Sequence, residues 1–341
     1  MKAVAIKGVK EFEIKNIDEP VPDGVNVIVE IIRCGICGSD IHYWVDGNPK
    51  GLIMGHEFCG KVVDPGNRKD LNVGDRVTAL PISPCGECDA CKSGNVQYCR
   101  STWTNAVGLS LNNPGALTEK IKIRPDMVIK VNDNITDDEV SMVEPIAVSF
   151  HAIRLSNIKF GDKVLVIGGG IIGLAAAMFA KKEGASMVVV SETNKKRGEK
   201  AISLNVSDYW VDAKDSEFSN KLINITNGGF DHIIECCGNS AAVSSALTVI
   251  KPGADIVLVG VSTSPVTIPT VLAVMGEVTL KGAIAYTKEE FEKCIDLISS
   301  KKLSVTKFID DIVGLDDVQS SYERLTSGND DAIKILIDPK K

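Results

Sequence analysis

The stretch "KVLVIGGGIIGLAAAMFAKKEGASMVVVSE", Lys163 to Glu192, restricts the folds open to this chain more than any other. Lys163 to Ile167 reads as a buried strand, Ile171 to about Glu183 as a helix stopped by Gly184, and Met187 to Val190 as a second strand. Gly168, Gly170 and Gly173 lie at the turn where the first strand becomes the helix. Glycines at these offsets occur in many turns, but in a strand–turn–helix unit each has a task. Gly168 makes the sharp turn, Gly170 lets the backbone approach a pyrophosphate, and Gly173 lets helix and strand pack closely. The helix N-terminus then offers free N–H groups to phosphates. Ile171 and Ile172 in the same turn, and Val259 near the end of a later strand, are further expected contacts.

Glu192 closes the second strand, where a carboxylate can accept hydrogen bonds from the adenosine ribose and repel a 2′-phosphate. That pattern points to NAD. Lys195, Lys196 and Arg197 follow closely and could instead hold a 2′-phosphate; the charge of Glu192 decides for NAD over NADP, with Arg197 kept as a cofactor contact. "FDHIIECCG", "ADIVLVGV" and "VTLKGAIAY" supply more strands, with "SAAVSSALTVI" and "KEEFEKCIDLISS" as helices between or after them. Such alternation predicts a doubly wound parallel sheet covered by helices on both faces, an α/β Rossmann domain.

The residues before it read differently. From Met1 to about Ile123, "NVIVEIIRC", "EFCGKVVDPG" and "VGDRVTALP" are short β-branched runs separated by Pro, Gly, Asn and Asp, which predicts an all-β lobe. Thr136 followed by Glu139 has the spacing of a capping box that opens a helix, and "AVSFHAIRL" reads as another helical run. The tail from about Ala285 is helical and ends in "AIKILID", a strand suited to return to the first lobe. At 341 residues the chain exceeds the usual single core, so two domains are expected.

"PCGECDACKSGNVQYC" places Cys85, Cys88, Cys91 and Cys99 in one short stretch. Four thiolates at this spacing close on one tetrahedral zinc and leave no open position, so this metal braces a lobe and does no chemistry. A redox switch would need one poised pair, and nothing favours two of the four. The first residues alternate small apolar and charged side chains and contain no signal-peptide core, so a cytoplasmic protein is expected, where disulfides are unlikely to explain ten cysteines. With 38 Lys and Arg against 45 Asp and Glu, the net charge of −7 gives no basic surplus to attract nucleic acid or anionic lipid. Neither nucleic acid nor membrane is an expected partner.

A second set of metal-binding residue types lies outside that knuckle. "CGICGSDIHYW", "MGHEFCG" and "MVEPIAVSFHA" carry Cys37, His42, His56, Glu57 and Glu144. A Cys, a His and a carboxylate from separate segments, plus a water, would form a zinc site with an open position, as catalysis requires. Spacing alone leaves a packed thiol and a turn pair equally open.

The chain resembles the zinc-dependent medium-chain dehydrogenases, in the branch of sorbitol, butanediol and threonine dehydrogenases. "CGICGSDIHYW", "GHEFCG", "GDRV", "CGECDACKSGNVQYC", "EP" before "HA", "VLVIGGGIIG" and "FDHIIECCG" follow that family's order across essentially the whole chain. The resemblance implies a GroES-like catalytic domain over 1–148 that carries the structural zinc lobe, a Rossmann domain over 149–283, and a C-terminal return over 284–341. It implies two zinc ions per chain, with Cys37 and His56 on the catalytic one. Glu144 stands where relatives have a third ligand or a water-mediated partner, and Glu57 is a conditional ligand. Asp40 would orient His56. Ser39 and His42 match a relay that carries the alcohol proton through the cofactor ribose to solvent, and Tyr43 matches a residue lining the substrate pocket. The cleft between the domains would hold zinc and nicotinamide, and a homotetramer or dimer is expected.

On substrate, "GSDIHYW" is similar to sorbitol dehydrogenases, yet Ala285 in "KGAIAYT" stands where polyol-binding relatives carry an arginine. Each lost charge-assisted hydrogen bond is worth ~1.5–3 kcal/mol, which disfavours a long polyol. The expected order is a vicinal diol such as 2,3-butanediol or another small secondary alcohol, then a sugar alcohol, then threonine. A non-catalytic nucleotide or zinc sensor on the same scaffold is the competing class; it would be expected to have lost Cys37, Ser39 or His42, and all three are present. His151 and His232 are expected to be structural, and Cys236, Cys237 and Cys294 to be core thiols.

Overall fold

The computed structural model describes residues 1–341, which divide into two compact units. The first comprises Met1–Ala147, Tyr286–Ser327 and Lys334–Lys341. Its main sheet runs in the order Ile309–Val313, Lys334–Ile337, Val27–Gly35, Glu57–Asp64, Arg76–Ala79, Val128–Lys130, with Lys120–Ile123 also pairing Val27–Gly35. Val27–Gly35 is central because it is apolar along most of its length, so it is stable only when covered on both faces. The expected returning strand, Lys334–Ile337, pairs antiparallel with it, Leu336 opposite Gly35 and Ile337 opposite Cys34. Lys2–Gly8 and Glu11–Asn16 form a separate hairpin.

The second unit comprises Val148–Ala285 and Gly328–Ile333. Its six strands are all parallel, in the order Tyr209–Asp212, Met187–Glu192, Lys163–Ile167, Phe230–Glu235, Ile250–Leu258, Thr279–Gly282. In chain order this is 3-2-1-4-5-6, the doubly wound arrangement whose direction reverses beside the first strand. Leu165, Val189, Phe230, Ile233 and Ile256 from the sheet pack with Leu222, Ala246 and Val249 from the helices. Each such side chain contributes ~1.5–3 kcal/mol by leaving water.

Two boundaries shift by one or two residues, to Ala147/Val148 and Ala285/Tyr286, and one segment departs from the sequence expectation. Gly328–Ile333 sits with the nucleotide-type unit rather than with the rest of the C-terminal return. Asn194 Nδ2 donates to the carbonyls of Gly328 and Asp330, both at 3.0 Å, and this tether has no local signature in the sequence. The Thr136 capping box is present, with the Thr136 hydroxyl accepting from the Glu139 N–H and the Glu139 carboxylate accepting from the Thr136 N–H. No helix is long and apolar enough to cross a membrane.

Candidate active site and metal clusters

Cys37 caps the N-terminus of helix Gly38–Asp46, and the helix sorts its neighbours by period. Asp40 and Trp44, four apart, face inward and are buried; Ser39, His42 and Tyr43 share another side, with His42 exposed. His56 precedes strand Glu57–Asp64, whose first residue, Glu57, is fully buried. The donor atoms of Cys37, His56 and Glu57 all lie within 4.8 Å of one another. Ser39 Oγ donates to Cys37 Sγ at 3.1 Å, and His56 Nδ1 lies 3.3 Å from Asp40 Oδ1, which leaves Nε2 as the ring's other donor.

This donor set fits a zinc ion. A thiol, an imidazole and a carboxylate converge, and Glu57 Oε1 is buried with no hydrogen-bond partner. Burial first, and then Glu57, push the Cys37 thiol up, with His56 opposing. Burial works to depress His56, but Asp40 and Cys37 outweigh it and hold the imidazolium well above its usual range. Glu144 is buried yet falls outside the converged trio; its Oε1 accepts from the Tyr286 hydroxyl at 2.8 Å, and burial pushes its carboxyl up to about 7.

Two residues that sequence reasoning did not single out support these carboxylates. Lys334 Nζ, fully buried, ion-pairs with Glu57 Oε2 and donates to the Ile36 carbonyl at 2.8 Å. Tyr286, also fully buried, holds Glu144. The available signal for Lys334 was a lone charge inside the apolar "AIKILID" run, since a buried lysine is almost always paired.

The four-cysteine cluster is local and closed. Cys85, Cys88, Cys91 and Cys99 bring their sulfurs within 4.8 Å of one another, with Sγ–Sγ separations of 3.9 Å for Cys85–Cys91 and 3.5 Å for Cys88–Cys91. Zinc at its usual ~2.3 Å from each sulfur sets neighbouring sulfurs about 3.8 Å apart, so this set also fits. Gly86 and Gly94 turn the chain at φ +82° and +81°. The Ser101 hydroxyl and the Cys85 N–H hydrogen-bond Cys99 Sγ and lower its thiol to about 5. The excursion is pinned at its base, where Ser83 N–H donates to the Thr102 carbonyl at 2.8 Å.

In the second unit Gly168 has φ +110°, and a side chain at Gly173 would overlap the Gly168 carbonyl oxygen. Nothing lies within 4 Å of where a Cβ on Gly170 would sit, so the approach to helix Ile171–Lys182 is open, with Ile171 and Ile172 in its first turn. Glu192 Oε2 accepts from Gly169 N–H at 2.7 Å, and Oε1 from the N–H groups of Thr193 and Asn194 at 2.7 and 2.8 Å. One lone pair on Oε2 stays available to a ribose hydroxyl. Val259, just past strand Ile250–Leu258, donates its N–H to the Glu235 carbonyl, and Arg197 lies in the first turn of helix Lys195–Ser203.

Two expectations need correcting. Cys237 is an exposed residue rather than a core one; its N–H donates to the buried Glu235 carboxylate at 2.6 Å while its Sγ lies against the Ile167 carbonyl at 3.5 Å, beside Gly168. The expectation that His232 has no ligand-type partner nearby also fails, since Nδ1 lies 2.6 Å from Asp255 and Nε2 3.0 Å from Asp162.

Comparison with known proteins matches these two units. The profile of the alcohol dehydrogenase GroES-like domain matches residues 23–133, and that of zinc-binding dehydrogenases matches residues 172–300. A (R,R)-butanediol dehydrogenase of Neisseria gonorrhoeae is 32% identical, covering 99% of each chain. A sorbitol dehydrogenase of Bacillus subtilis is 29% identical over 100% of this chain and 98% of its own. A solved structure of a zinc-binding dehydrogenase-type chain from Sinorhizobium meliloti 1021, bound to NADP, superposes with a TM-score of 0.89 at 26% identity and 99% coverage of both. The chain belongs to the zinc-dependent medium-chain dehydrogenases. It is an oxidoreductase of the alcohol and polyol dehydrogenase type, using zinc and a nicotinamide cofactor.

Proposed function

We propose that this enzyme oxidises a small secondary alcohol, foremost a vicinal diol of the 2,3-butanediol type, with NAD as hydride acceptor. The observation that carries the reading is the buried Cys37–His56–Glu57 trio with Ser39 bonded to its thiol. Cys37 and His56 would hold the catalytic zinc, with Glu57 or Glu144 as the carboxylate, and Asp40 would fix the His56 ring. When bound, zinc supplies Lewis acidity toward the alcohol oxygen and the nicotinamide supplies the hydride acceptor. Ser39, whose O–H now bonds Cys37 Sγ, would accept the alcohol proton on a lone pair as that O–H turns away and gives up its own proton. The released proton would leave to solvent through His42, exposed on the same side of the helix. Tyr43, on that side too, would line the pocket. Cys85, Cys88, Cys91 and Cys99 would hold the second, structural zinc.

The diol preference rests on Ala285, which brings no cation to hold a long polyol, and on the butanediol relative. A sugar alcohol is second and threonine third. The NAD preference rests on Glu192; Arg197 would contact the same cofactor. Ten unpaired thiols suit a cytoplasmic site of action.

A homo-oligomer is part of the same reading. Helix Thr270–Met275 is apolar but buries none of its residues, with Val271, Val274 and Met275 at 63%, 73% and 80% exposure, and Thr279–Gly282 is an open sheet edge. Such a face is a natural contact for a second copy. Light scattering should report a dimer or tetramer, and a Val274→Lys/Met275→Glu double variant should lower the mass.

The central test is NADH formation with 2,3-butanediol stereoisomers, 2-propanol, sorbitol, xylitol and threonine, with NADP in parallel. Turnover of a diol with NAD, lost in Cys37→Ser, supports the reading. Turnover of threonine or a sugar alcohol alone would overturn the substrate assignment.

A further inference from the structure

Lys334 stands out as a fully buried ammonium beside the catalytic donors. It enters from the returning strand Lys334–Ile337, while Glu57 opens strand Glu57–Asp64 on the other side of Val27–Gly35. The two side chains meet over Gly35, the one place on that central strand where no side chain intervenes. A Cβ built there would lie 2.7 Å from Lys334 Cε and 3.0 Å from Nζ, as well as against Glu57 Oε2. The notch at Gly35 and the ion pair are therefore parts of one arrangement.

The pair divides the Glu57 carboxylate. Oε2 is taken by Lys334, whose second hydrogen bond goes to the Ile36 carbonyl, and Oε1 is left buried without a partner within the Cys37–His56–Glu57 trio. Building on the proposed function, we propose that Lys334 is a positioning residue for the catalytic centre: it confines Glu57 to one available oxygen and offsets its charge. Two consequences follow from elementary electrostatics. A fixed cation beside a metal site weakens the hold on the metal, and it leaves the metal less neutralised by its ligands and more able to polarise a bound oxygen. Lys334 thus exchanges some metal affinity for reactivity.

A merely structural lysine makes the opposite prediction. If Lys334 only braced the fold, removing it would loosen the donors and speed metal loss. If it acts by charge, Lys334→Met releases the full Glu57 carboxylate to the metal and slows that loss.

The test measures zinc transfer from the full-length holoenzyme to a chromophoric chelator, using Cys37→Ser to identify the catalytic-site fraction. Catalytic-site release should slow by about tenfold or more in Lys334→Met, the scale on which groups behind metal ligands act. Its kcat should fall while KM changes little. Release should accelerate in Glu57→Gln, and the Glu57→Gln/Lys334→Met double variant should return toward wild type. With cobalt in place of zinc, Lys334→Met should show weaker visible bands as Glu57 binds through both oxygens.

Release from Lys334→Met at or above the wild-type rate overturns the proposal. Should that variant fail to fold, Lys334→Gln and Glu57→Gln carry the test, and wild-type release in Glu57→Gln overturns it equally. A wild-type protein with no Cys37-dependent zinc would sink the proposed function along with this inference. Zinc present but insensitive to Lys334 would sink this inference alone.

Discussion

The two cysteine-bearing clusters are built in opposite ways. The knuckle collects its four sulfurs from Cys85 to Cys99, is partly exposed, and is braced from farther along the chain by Arg124 alone among the groups described, which donates to Ser83 Oγ and the Pro84 carbonyl beside it. The Cys37 centre draws on residues as far apart as Cys37 and Lys334, is mostly buried, and surrounds its donors with Asp40, Tyr286 and Lys334. A site that needs only to be closed can be local. One that must hold metal loosely enough to react needs supporting groups from the rest of the fold.

Breaking each cluster should separate activity from stability. Cys37→Ser is expected to lower turnover at least ~1000-fold while leaving the thermal midpoint near wild type, read by NADH formation and calorimetry; the transition-state scale makes this about 4 kcal/mol of lost stabilisation. In Cys88→Ser the thermal midpoint should fall by many degrees and zinc content by one per chain, since structural zinc contributes folding free energy directly. Retained stability in Cys88→Ser would erase the contrast.

Smaller effects sharpen the comparison outside the metal sites. Gly173→Ala puts a methyl group into the Gly168 carbonyl, so it should weaken binding of the nicotinamide cofactor about tenfold and cost ~1–3 kcal/mol of stability, measured by cofactor fluorescence and denaturant titration. His232→Asn should have the mildest effect, and one that depends on pH. Burial works to lower the His232 pKa, but Asp255 and Asp162 raise it overall, while hydrogen bonds from His232 and Lys281 outweigh burial to lower that of Asp255. The protonated His232 therefore adds stability that is complete below about pH 6.5 and fades as pH rises through its elevated folded value. The wild-type advantage over His232→Asn should be ~1 kcal/mol, or ~2–4 °C, near pH 6 and shrink by pH 9. It should also decline in acid as Asp255 protonates.

Legibility in the sequence tracked distance along the chain. Strand Lys163–Ile167, the glycine turn, helix Ile171–Lys182 and the Thr136–Glu139 capping box all depend on neighbours within a few residues, and each lies where the sequence placed it. The clustering of Cys85, Cys88, Cys91 and Cys99 was readable for the same reason. The convergence of Cys37 with His56 could be named only by resemblance, because no spacing rule reports how strands separated by loops align. Lys334 with Glu57 and Tyr286 with Glu144 were not foreseen, for their partners are set by register across a sheet and by folding of remote segments. The exposure of Cys237 goes with a backbone bond to the Glu235 carboxylate that composition cannot show.

The hydrogen bond between Ser83 and Thr102 has a practical meaning for anyone reshaping this enzyme. It makes the knuckle a cassette: the chain departs after strand Arg76–Ala79 and closes back on its own point of departure before running on to Lys120–Ile123. A short turn grafted across that base should preserve the register of the surrounding strands and delete the proposed structural metal site. The proposed catalytic centre offers no such seam, because its parts are shared among strands that the rest of the molecule needs.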